Sequence, residues 1–168
     1  DRRAFNDAFE RIRTNIADGD TYQVNYTWRL RGEFCGDPLT LFADLAAAQR
    51  GRYGAFVRAP RCTICSASPE LFFSRQGTLM TARPMKGTAR RGRFTAEDRS
   101  CSERLQHSSK ERAENVMVVD MVRNDLGRVA EIGSVDVPEL FTLEPYPNVW
   151  QMTSTVTART SAPLDEIF

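Results

Sequence analysis

The chain has 168 residues, with 23 Lys and Arg against 22 Asp and Glu, a formal charge of +1 and 41% hydrophobic residues. That length holds one domain with a sizeable core, and the near-neutral balance supplies no global field toward nucleic acid or a membrane surface, so any partner is selected locally. No apolar run is long enough to cross a bilayer and no segment near the start is flanked like a signal peptide, so a soluble cytoplasmic protein is the expectation.

Helical periodicity begins almost at once, in Phe5, Ala8, Phe9, Ile12 and Ile16, and ends at the turn signal Asp18-Gly19-Asp20. Tyr22, Val24, Tyr26, Trp28 and Leu30 alternate with Gln23, Asn25, Thr27, Arg29 and Arg31, which predicts a strand with one wet or functional face. Asp37-Pro38 caps and starts a second helix, carrying Leu39, Leu41, Phe42 and Leu45 to a stop near Gly51. Short strands are predicted around residues 53–58, 62–67, 71–75 and 79–82, the last two joined by Gln76-Gly77-Thr78.

Pro84 to Phe94 reads as a basic loop, and Thr95 with Asp98 as the cap of a short helix. Ser108 with Glu111 marks a further helix, from about Ser109 to Asp125 and ending near Gly127. Pro138, Pro145 and Pro147 predict a mostly irregular stretch. From Val149 to Thr157 a final strand alternates, with Trp150, Met152 and Val156 on one face and Gln151, Thr153, Thr155 and Thr157 on the other. Two passes of helix, strands and helix predict an α/β (α+β) layered domain with largely antiparallel strands. The sequence begins inside a helical pattern rather than before one, with no initiator Met. Ser161, Pro163, Asp165 and Glu166 open a helix that has no body before Phe168, so the expectation is a fragment truncated at both ends.

Three places could carry chemistry. Lys86 lies between Pro84 and Gly87 in a stretch with Arg83, Arg90, Arg91 and Arg93 and no acid. Such a cluster suits a small polyanion, and neighbouring cations would push a lysine toward its neutral, nucleophilic form; on charge alone the plainer reading is a solvated loop. Glu111 and Glu114, three apart at a helix start, share a face on which two carboxylates could hold magnesium with a ligand's oxygens. The plainer reading gives Glu111 to a capping box with Ser108 and leaves Glu114 a surface acid. Ser68-Pro69-Glu70 puts an acid on a turn between strands, where a general acid can be aimed at a leaving group. His107 reads as structural, and Cys35, Cys62, Cys65 and Cys101 as reduced structural thiols, since a zinc ribbon's second Cys-x-x-Cys is missing.

Five stretches in one order resemble the chorismate-utilising enzymes. They are Gly19 to Asn25 (GDTYQVN), Ser68 to Phe72 (SPELF), Arg83 to Thr88 (RPMKGT), Lys110 to Val129 (KERAENVMVVDMVRNDLGRV) and Val149 to Thr155 (VWQMTST). The family includes anthranilate, isochorismate and salicylate synthases and the aminodeoxychorismate synthases. The resemblance implies a four-layer α/β/β/α fold with two face-to-face, largely antiparallel sheets, of which residues 1–168 form about the first half. Water-adding members carry lysine where this chain has Gln23, and most members carry alanine where it has Lys86, so the resemblance points to the aminodeoxychorismate synthases, with anthranilate synthase component I as the alternative.

By resemblance, the reaction replaces the 4-hydroxyl of chorismate with an amino group on the route to 4-aminobenzoate and folate. Lys86 would attack ring carbon 2 while Glu70 protonates the departing hydroxyl, and ammonia from a glutamine amidotransferase subunit would then expel the lysine. Glu114, with Glu111 in support, would bind Mg2+, and Gln23, Gly87, Thr88, Gln151, Thr153 and Ser154 would contact substrate. Gln151 stands where many members place histidine; glutamine orients but exchanges no proton. The family's remaining magnesium glutamates and glycine-rich cradle lie beyond these residues, so the chain alone is expected to be inactive. Charges in the Met117 to Val129 stretch are assigned to helix-end pairing. An RNA-gripping module using Arg83 to Arg93 is the reading from another class, but the strands offer no sheet of exposed aromatics to support it.

Overall fold

The computed structural model describes residues 1–167 and divides the chain into two compact units, Asp1–Cys35 and Gly36–Phe168. In the first unit, α1 (Arg2–Ala17) is capped by Asp1, whose carboxylate accepts from the Arg3 amide at 2.6 Å, and stops at Asp18 before Gly19 turns the chain at φ +81°. The strand predicted from Tyr22 to Leu30 does not form. Alternation supplies two faces, but a strand also needs a partner for its N–H and C=O groups, and no ladder reaches residues 22–35 among the described residues. The extended segment rests its aromatics on α1 instead: the Phe5 ring lies 5.6 Å from Tyr26 and 5.5 Å from Trp28.

In the second unit, α2 (Pro38–Gln49) starts as expected, with Asp37 accepting from the Thr40 amide at 3.0 Å. That bond holds the Asp37 carboxyl below its ordinary range. The helix stops at Arg50, which takes the left-handed conformation at φ 50°. Next, β1 (Tyr53–Ala59) and β2 (Cys62–Ser68) form an antiparallel hairpin, with Phe56 against Phe42 of α2 at 5.8 Å.

The main sheet comprises β3 (Leu71–Gln76), β4 (Leu79–Arg83), β5 (Met85–Arg90), β6 (Asp136–Pro145) and β7 (Val149–Arg159), all antiparallel. The long central β7 pairs with β6 along one edge. Its other edge is shared end to end by β4, opposite Val156–Arg159, and β5, opposite Val149–Thr153.

Two expectations are corrected here. Most of the basic loop is a strand: past an irregularity at Lys86, Gly87 and Ala89 alternate with Thr88 and Arg90, a period masked in the sequence by the surrounding charge. The proline-rich stretch is β6, and it tolerates its prolines because it pairs on one side only and slips register between Asp136 and Glu139, around Pro138, while Pro145 ends it.

Helices α3 (Thr95–His107) and α4 (Ser109–Gly127) pack on one face of this sheet. Met80, Ala82, Val156 and Ala158 meet Val119 and Leu126 of α4 to form the core. Truncating a fully buried side chain such as Met80 to alanine should cost about 2–5 kcal/mol. Thr95 is not a cap: Phe94 precedes the helix in extended conformation, and α3 runs 13 residues rather than a short turn. Ser108 does cap α4, its hydroxyl accepting from the Glu111 amide at 3.3 Å. A final turn, α5 (Leu164–Ile167), has Asp165 and Glu166 in its first turn as expected. The α/β (α+β) class with antiparallel sheets thus matches the sequence reading.

Candidate active site

Lys86 sits half-buried near the start of β5, on a local irregularity. Met85 opposes Thr153 and Thr88 opposes Gln151, so Lys86 and Gly87 together face the single residue Met152. This is a β-bulge, a device that re-aims side chains. Gly87 is required there: its φ is +104°, and a β-carbon on it would lie 3.1 Å from Met152 Cβ and 3.4 Å from Glu111 Cβ. Gly87 therefore faces the helices as a packing point, whereas Thr88 emerges on the opposite, polar face and its hydroxyl donates to Gln151 Oε1 at 2.8 Å.

Glu70, on the turn between β2 and β3, reaches the same strand. Its Oε1 accepts from the Met85 amide at 2.9 Å, one residue from Lys86. The turn is tied down by Tyr146, whose hydroxyl lies 3.3 Å from the Pro69 carbonyl and 3.4 Å from Glu144 Oε2; burial raises the Tyr146 pKa. Thr153 shares the polar face, but it is buried and its hydroxyl serves Glu144 at 2.9 Å. Ser154 points the other way, beneath α4, where its Oγ donates to Asn115 and accepts from the Phe141 amide. Gln23 lies half-buried in the first unit, its carbonyl accepting from the Thr21 hydroxyl.

Glu111 and Glu114 do share a face: Lys110 Nζ stands 3.8 Å from one carboxylate and 3.7 Å from the other. The capping box is only half made, because the Ser108 amide already donates to Leu105 O at the end of α3, so the Glu111 carboxylate is not spent on the cap. Two half-exposed carboxylates that converge on one cation fit magnesium, which binds through one or two carboxylates and keeps several waters. Among the described residues, no group of three or more His, Cys, Asp or Glu converges as a full cage.

The basic stretch is less positive than its sequence suggests. Arg83 pairs with Glu144; burial is the largest single influence and opposes its charge, but Glu144 and Tyr53 together outweigh it and the pKa rises. Arg90 pairs with Glu97 and Arg91 with Asp98, both from the first turn of α3. Asp98 accepts twice from Arg91 at 2.8 and 2.7 Å, from the Gly92 amide at 2.8 Å and from Trp150 Nε1 at 3.0 Å, with the Arg91 guanidinium 4.8 Å from the Trp150 ring. The Arg91 bonds foremost hold its carboxyl well below the ordinary range. These cations clamp α3 to the sheet instead of surrounding Lys86 with uncompensated charge.

The profile described as chorismate binding enzyme matches residues 1–167. The chain belongs to the chorismate binding enzyme family. Aminodeoxychorismate synthase component 1 of Klebsiella aerogenes is 44% identical over 164 residues, 97% of this chain and 36% of that protein. An anthranilate synthase component 1 of Haloarcula marismortui is 36% identical over 158 residues, 94% of this chain and 32% of that protein. The crystal structure of anthranilate synthase component I from Streptococcus pneumoniae superposes with a TM-score of 0.68 at 30% identity, covering 80% of this chain and 29% of that one. This member of the chorismate binding enzymes thus spans about a third of the length of the curated relatives it matches.

Within this chorismate binding enzyme, one residue at the site escaped the sequence reading. Asn115 is 1% exposed on α4, and its amide nitrogen donates to the Lys86 carbonyl at 3.0 Å and the Met152 carbonyl at 3.3 Å. The available signal was a polar residue on the apolar stripe with Val119 and Leu126. His107 has the local role expected of it, its Nδ1 lying 2.8 Å from Glu103 O. The four cysteines are unbridged, with Cys101 buried and Cys65 Sγ 3.3 Å from Pro38 O. Arg123 and Asp120 pair along α4 at 2.9 Å. No helix among the described residues is long and apolar enough to cross a membrane.

Proposed function

We propose that the protein carrying this chain aminates chorismate at carbon 4, giving 4-amino-4-deoxychorismate, with Lys86 as covalent nucleophile. In the first step the Lys86 amine, losing a proton, bonds to ring carbon 2, both ring double bonds shift, and the carbon 4 to oxygen bond breaks. Glu70 supplies the proton with which the hydroxyl leaves as water. Ammonia then attacks carbon 4, both double bonds shift back, and the bond to lysine breaks, with the proton lost by the new amine balancing the one taken up by the lysine nitrogen. The enolpyruvyl group stays in place. This is nucleophilic catalysis aided by a general acid.

The observation that supports the reading is the bond from Glu70 to the Met85 amide, which brings the acid to the strand of the nucleophile. Gln151, joined to Thr88, is suited to orient the ring but not to move a proton. Glu111 and Glu114 would hold Mg2+, whose charge would neutralise a substrate carboxylate. Ammonia would come from a glutamine amidotransferase partner in the cytoplasm. The pairing of Arg83, Arg90 and Arg91 with acids weighs against an RNA-gripping module.

The test is product identity: the full-length protein is supplied with chorismate, ammonia and magnesium, and products are separated by mass. The expected product carries an amino group and retains the enolpyruvyl chain, and its yield falls when magnesium is chelated. Anthranilate as product would instead establish the alternative. The 168-residue chain alone is expected to make neither, since the relatives it matches are about three times longer.

A further inference from the structure

The bulge at Lys86 creates a backbone problem. A bulge disturbs the regular ladder, and here the Lys86 carbonyl lies beneath α4, where an acceptor needs a donor. Asn115 donates to it. Its single amide group reaches Lys86 O on the bulged strand and Met152 O on the residue opposite, bridging the two sides of the bulge. Its Oδ1 accepts from Ser154 Oγ, which fixes the amide's orientation. Ser154 is anchored in turn by the amide of Phe141, a bulky residue held in the left-handed region at φ 60°. Strain of that kind persists only where surroundings enforce it; Gln106 Nε2 donates to the Phe141 carbonyl at 3.2 Å, and the Arg112 guanidinium lies 4.5 Å from its ring.

We propose that Asn115, oriented by Ser154, is a positioning residue that fixes the shape of the bulge and thereby the direction in which Lys86 presents its amine. The proposal rests on Lys86 being the nucleophile. A bulge that relaxes to regular pairing would move the amine by an ångström or more, and a displacement of that size can cost on the order of 100-fold in rate.

The test uses the full-length protein with ammonia and magnesium. Asn115→Leu should lower kcat by about 100-fold while KM for chorismate changes by less than about threefold. Ser154→Ala should give a smaller loss, roughly tenfold, of the same kind. Asn115→Asp can donate to the carbonyls only when protonated, so its kcat should rise as the pH is lowered from neutrality, unlike wild type. If Asn115→Leu fails to fold, Ser154→Ala and Asn115→Asp decide. Folded variants with kcat within about threefold of wild type, beside an inactive Lys86→Ala, overturn the positioning role alone. A normal rate in Lys86→Ala overturns the nucleophile, and with it this proposal.

Discussion

The two ends of β5 are joined to the helices by polar groups, but those groups do different work. At the distal end, Arg90 and Arg91 meet Glu97 and Asp98 in ion pairs, so charge holds α3 against the sheet. At the proximal end a neutral amide, Asn115, meets the bulged backbone of Lys86. A clamp made of full charges resists movement and answers to pH, whereas a clamp made of neutral hydrogen bonds sets a backbone shape without fixing a charge near the nucleophile. The distal end should therefore govern stability, and the proximal end rate.

That division can be broken most forcefully at Gly92, where a β-carbon would fall 2.1 Å from the Asp98 amide nitrogen. Gly92→Ala should destabilise the protein by about 3 kcal/mol or more in a thermal or urea melt, and a mild effect would mean that the distal clamp is loose. Asp98→Asn should cost less, because no atom is displaced, and its effect should follow pH. The folded Asp98 carboxyl titrates below its ordinary value of 3.8, so its contribution is complete above that value and is lost as pH falls through the folded one. The gap between wild type and Asp98→Asn should thus be full at neutral pH and narrow in acid; a gap independent of pH would contradict the ion-pair assignment. The smallest effect is expected at Gln151, where Gln151→Leu should lower kcat/KM by roughly tenfold through lost orientation, and undiminished turnover would remove Gln151 from the site.

Much of this was legible in the sequence, and the failures have physical causes. The Ser108 cap, the Asp37-Pro38 start and the β3–β4 hairpin came from local chemistry that the fold left intact. β5 was hidden because a cluster of cations looks solvated when the acids that pair with Arg83, Arg90 and Arg91 lie on α3 and β6. β6 was hidden because prolines exclude a central strand and leave an edge strand open. Tyr22 to Leu30 erred the other way, since alternation cannot say whether a partner strand is at hand. Glu70, Lys86, Thr88 and Gln151 were brought onto one stretch of sheet. Asn115 was not foreseen, since its partners are backbone carbonyls exposed only by a bulge.

The most direct measurement is made on the full-length protein incubated with chorismate and magnesium in the absence of ammonia, quenched and digested for mass spectrometry. The expected result is a Lys86 peptide carrying the mass of chorismate less one water, and no such peptide after ammonia is added and turnover completed. An unmodified Lys86 peptide throughout, together with undiminished product formation by Lys86→Ala, would contradict covalent catalysis by this lysine.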